Sequence, residues 1–101
     1  MEKLSQDRLK ENLNTPFSIE LGDYGTVELE LLECKDLGST PKHEQFSIVF
    51  RGPLQPFLQQ MTYEMKHDAL GSNLIFLVPV RQDSNATYYE AIFNRFVEED
   101  R

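Results

Sequence analysis

The chain has 101 residues, enough for one domain and too few for two. Lys and Arg number 10 against 17 Asp and Glu, a formal net charge of -7. That balance excludes generic binding to a phosphate backbone and attraction to an anionic membrane surface, and no apolar run reaches the ~20 residues that span a bilayer.

In chain order, residues 1–14 read as a short amphipathic helix. Leu4, Leu9 and Leu13 fall on one side, Ser5 is the expected N-cap, and Asp7 lies in the favourable first turn. Asn14-Thr15-Pro16 ends it. From Phe17 the apolar period changes to two. Phe17, Ile19 and Leu21 alternate with Ser18 and Glu20, and Gly22-Asp23-Tyr24-Gly25 supplies a turn. Val27, Leu29 and Leu31 then share one strand face, with Glu28 and Glu30 on the other. The short turn makes these two strands a hairpin.

Residues 35–44 form a polar loop. Phe46, Ile48 and Phe50 alternate again until Gly52-Pro53. Residues 54–60, with Pro56, read as an ordered irregular connection. Met61, Tyr63 and Met65 make a fourth alternating run. The continuous apolar stretch from Leu74 to Val78 predicts a strand covered on both faces, and Pro79 marks an edge or a bulge. Tyr89, Ala91 and Phe93 face inward on a last strand. The β core is thus 17–96 and residues 97–101 are a frayed tail. The expected fold is mainly β, a six-stranded antiparallel sandwich or small partly closed barrel with a short N-terminal α-helix. The whole of 1–101 is one domain. Phe46, Phe50, Phe76, Phe93 and Tyr89 suit its core.

Residue types that carry chemistry are sparse. Cys34 is the one cysteine, so no internal disulfide forms. The charged start of the chain lacks the apolar core of a signal peptide, and both features predict a cytoplasmic protein. His43 and His67 lack metal-ligand spacing, and no nucleophile elbow or phosphate loop appears. Cys34 reads as a small apolar residue at a strand end rather than a nucleophile served by either histidine. Glu28 and Glu30 share a strand face at a separation some glycosidases use. Alternating Glu on a solvated face is the simpler reading. His67, at a turn, is expected to hydrogen-bond a turn carbonyl. Arg51, ahead of Gly52-Pro53, can clamp a carboxylate. No catalytic, cofactor or metal residue is assigned.

Four segments together resemble a small bacterial family known as a domain of unknown function. They are Phe-Ser-Ile-Val-Phe-Arg-Gly-Pro (46–53), Tyr-Glu-Met-Lys-His-Asp-Ala-Leu-Gly (63–71), Ile-Phe-Leu-Val-Pro-Val (75–80) and Tyr-Glu-Ala-Ile-Phe-Asn (89–94). The resemblance spans 17–94. It implies a bacterial source and a stand-alone β-rich domain, suggests a place in a phage-tail-like or other multiprotein assembly, and carries over no catalytic residue. It marks Arg51, His67, Glu90 and Asn94 as the polar residues typical of the family. An Arg51–Glu90 pair across the sheet is expected.

Phe57, Tyr88 and Phe96 are the candidate interface aromatics. The expected function is a non-enzymatic structural or protein-interaction module, through an edge strand or an apolar face. Its partner is an unknown protein or a second copy, with no cofactor, nucleic acid or membrane. A small-ligand-binding barrel is the alternative, and a small hydrolase the third reading.

Overall fold

A computed structural model describes residues 4–96. They form a short helix, α1 (Gln6–Lys10), and six strands. The strands are β1 (Pro16–Glu20), β2 (Thr26–Asp36), β3 (His43–Gly52), β4 (Met61–His67), β5 (Gly71–Gln82) and β6 (Thr87–Phe96). A single 3₁₀ turn (Gly22–Tyr24) joins β1 to β2. All pairings are antiparallel, and the sheet closes on itself in the order β1-β2-β3-β6-β5-β4. The fold is therefore a closed barrel and not a sandwich. The expected frayed tail lies outside the described residues.

Alternation fills the interior. Phe17, Ile19, Val27, Leu29, Leu31, Phe46, Ile48, Phe50, Met65, Ile75, Leu77, Tyr89 and Ala91 are buried in one cluster. Phe17 meets Phe50 edge to face at 5.2 Å between centroids, and Phe46 stacks on Phe93 at 4.8 Å. A six-stranded ring is narrow, so inward side chains occupy its whole lumen. Space is tight at Gly52: a Cβ there would lie 2.4 Å from Leu29 Cδ2, so any side chain would displace the buried Leu29.

The two ends of the ring are plugged differently. At one end sits α1, whose Leu9 is fully buried and whose cap Ser5 accepts from the Arg8 amide. The helix is shorter than the pattern from 1 to 14 suggested. Asn14 takes a positive φ of 66° and its amide donates to the Leu31 carbonyl, so pairing with β2 begins before Pro16. Arg95 ties this end together, donating to the Leu4 carbonyl and pairing with Glu44. At the other end the connection 54–60 turns Leu58 inward. Its amide donates to the buried Tyr89 hydroxyl at 2.9 Å.

Two bulges shape the long strands. One lies between Leu31 and Glu33, the other between Pro79 and Arg81. Pro79 has no amide to give, and the bulge accommodates it. The apolar run of β5 departs from expectation. Ile75 and Leu77 are buried, but Leu74 is 73% and Phe76 50% exposed. A closed ring has one interior, and among the described residues no layer covers the outside of β5. Phe76 is therefore not a core residue.

Candidate functional site

The ring is weakest where β1 meets β4. Those strands share one register pair, Ser18 with Lys66, whereas β1 and β2 share five. Beyond it the strands part. A groove of about 680 Å³ opens between residues 19–21 and residues 61–66. Tyr24, Pro56, Phe57, Leu58 and Gln59 complete its walls. The turn that carries Tyr24 depends on Gly22 and Gly25, both at positive φ. Tyr24, Phe57 and Met61 are exposed, at 66%, 49% and 50%. Tyr63 is half-buried, and its hydroxyl donates to the Gln59 carbonyl at 2.7 Å. Burial, then the nearby Tyr89, raises the Tyr63 phenol above its ordinary range. Glu20 and Lys66 close the narrow end at 3.5 Å.

His67 lies on the other side of the β1–β4 contact. Its Nδ1 accepts from the amides of Ala69 (2.9 Å) and Leu70 (3.2 Å), and its Nε2 meets Thr15 Oγ1 at 2.8 Å. Thr15 Oγ1 in turn donates to the Asn12 carbonyl. With Nδ1 accepting twice, the proton belongs on Nε2. The ring also packs on Phe17 at 4.6 Å. Burial, helped by Arg8 and opposed by Asp68, lowers the His67 pKa. The expected turn carbonyl is replaced by turn amides, because the chain reverses with its N–H groups toward the imidazole. Both ring nitrogens are engaged, so the ring is an anchor for the turn and not a free base.

Arg51 does not reach Glu90. It pairs with Glu30 on β2, since the register sets Arg51 opposite both Glu30 and Tyr88, and sets Glu90 opposite Val49 and Val78. Arg51, Glu30, Glu28 and Tyr88 line a depression of about 440 Å³. Glu30 is thus an ion-pair partner rather than half of a carboxylate pair.

Tyr88 is half-buried under the Arg81 guanidinium, 3.9 Å from the ring centroid, and donates to Asp83 at 3.0 Å. The Asn85 amide, with the Ala86 amide and the Tyr88 hydroxyl, holds the Asp83 carboxyl below its ordinary value. Asn94 bonds His43 at the far end of β6, and Phe96 packs beside the His43 ring at 5.3 Å while 81% exposed.

The predicted polar residues are therefore scattered and form no common site. Cys34 is half-buried and its thiol is pushed up, chiefly by burial, which suits an inert side chain. Both histidines are committed elsewhere. Among the described residues no three of His, Cys, Asp and Glu gather closely enough to hold a metal ion, and no helix is long and apolar enough to cross a membrane.

Phe57 was legible as an exposed aromatic, but the seam around it was not. Tyr24 and Met61 belong to elements whose local patterns are those of a turn and an inward strand face. The exposed Ile92 had a signal: it lies on the outer face of its strand, beside Tyr88 and Glu90.

Residues 4–93 match the family model described as a domain of unknown function, DUF6916. No curated protein and no solved structure matches the chain.

Proposed function

The chain belongs to the DUF6916 family of domains of unknown function, and from its geometry we propose a non-enzymatic protein-interaction module that binds through the β1–β4 seam. One observation carries this reading: a lumen filled by side chains lies beside an open seam rimmed by exposed Tyr24, Phe57 and Met61. Exposed apolar groups gathered on one rim are what an interface core requires. In this reading the domain is one part of a larger bacterial, cytoplasmic assembly.

A photoreactive benzoyl-phenylalanine at position 57 tests it, with position 35 as an exposed control. The expected result is a discrete protein crosslink from 57, absent from 35 and lost when Met61→Lys is added. A monomer by light scattering that crosslinks to nothing at 57 sinks the reading.

A second reading, a small apolar ligand in the same groove, is favoured by its size. About 680 Å³ falls within the range of small-molecule pockets. The packed interior restricts that reading to the mouth. A melting temperature raised by a small apolar compound in the parent chain, and not in Met61→Lys, would support it.

A further inference from the structure

We propose that the occupant of the seam is an extended peptide that adds to the edge of β4 as a strand, with apolar and basic residues in alternation. This rests on the interaction reading above and names its partner.

The edges themselves set the backbone requirement. β4 is paired to β5 along its whole length, from Met61 to His67, yet toward β1 it has only the Ser18–Lys66 pair. Half of a strand's amides and carbonyls point each way, so residues 61–64, which among the described residues have no register partner on β1, turn part of their main-chain groups to the seam. On the facing wall Glu20 is paired with Thr26 on β2 but has no register partner on β4, while the Leu21 amide turns back to the Gly25 carbonyl. Four residues of free edge span ~13 Å, the length of a short recognition segment. A ligand that supplies a matching row of N–H and C=O groups is a polypeptide in the β conformation.

The side chains set the sequence requirement. Alternation gives the seam an inner and an outer row. The inner row is Leu21, Met61 and Tyr63, over the buried Leu58. The outer row is Glu20, Thr62 and Glu64, all exposed. Lys66 holds Glu20 only loosely, at 3.5 Å with both side chains at least half exposed, and Ser72 donates a neutral hydroxyl to Glu64. Asp23 stands exposed on the adjoining turn. An added strand therefore meets aliphatic and aromatic surface with every second residue and carboxylates with the others. Cross-strand pairs of opposite charge stabilise and like charges oppose, so Lys or Arg belongs at those outer positions. The chain's net charge of -7 draws the same kind of partner from a distance.

The test uses the full chain, immobilised, and a display library of random dodecapeptides, followed by synthesis of an enriched peptide. Enriched sequences are expected to repeat with period two, apolar against basic. Met61→Lys and Glu64→Lys should each weaken the synthetic peptide about tenfold, while Ile92→Ser on the remote outer face leaves it unchanged. N-methylation of alternate peptide amides should abolish binding at one parity and spare it at the other. Hydrogen exchange should slow at residues 61–64.

An absence of enrichment over an unrelated protein overturns the proposal. So does enrichment of a peptide that tolerates N-methylation at either parity. In those cases a crosslink from position 57 would leave the interaction reading standing, whereas loss of that crosslink removes both.

Discussion

At the scale of single residues, two buried or half-buried polar groups do the positioning. The Tyr89 hydroxyl is the acceptor for the Leu58 amide, 31 positions away in sequence. Tyr89→Phe keeps the ring and removes the acceptor, so the amide is left buried and unpaired. Urea unfolding should show a loss of about 1–3 kcal/mol. His67 gives a pH signature. Its folded-state pKa lies below the ordinary 6.5, so the unfolded chain takes up the proton first. Its contribution to stability is full above that value and is lost as the pH falls through the lower folded pKa. His67→Gln should flatten the stability profile in that window relative to the parent. An unchanged profile would show that the imidazole is not held neutral. That His67 sits at a turn was legible, because Asp68-Ala69-Leu70-Gly71 carries turn chemistry. Its partners Thr15 and Asn12 were not, since they precede β1, more than 50 positions away in sequence, and reach His67 only when β1 closes on β4.

Among the elements, α1 is the one that cannot stand alone. Five residues are far below the length at which an isolated helix persists. Docking holds it, through Leu9 in the core, Arg8 on the Ala69 carbonyl and Gln6 on Ser39. Leu9→Ala should cost about 2–5 kcal/mol. Amide exchange should then quicken both in α1 and at the Ala69 turn it touches; a change confined to α1 would show the two are not coupled. The strands were largely legible, because each carries its own alternation. β5 was the exception. A run such as Leu-Ile-Phe-Leu-Val has the same apolar pattern whether one face is covered or both, and coverage depends on what the rest of the chain builds.

For the whole molecule, one continuous cluster links both plugs and every strand. Unfolding should accordingly be a single transition, with tyrosine fluorescence and far-UV circular dichroism superimposing in urea. Two separated transitions would mean that the α1 end and the Leu58 end melt independently. The acidity has a definite place in this architecture. Glu28 and Glu64 lie on the outer surface, and Glu30 is spent on Arg51. Exposed pairs of this kind contribute about 0–1 kcal/mol each, so the charge adds little to stability.

The order of elements, their inward faces, the turns and the acidic exterior follow from the sequence by itself, because each is written in residues a few positions apart. Ring closure, the one-pair seam at β1 and β4, the bare face of β5 and the choice of Glu30 over Glu90 by Arg51 were decided only in three dimensions. Those features depend on which distant strands become neighbours and on where the ring leaves an edge unpaired. Local periodicity says which side of a strand is apolar, but not what will come to lie against it.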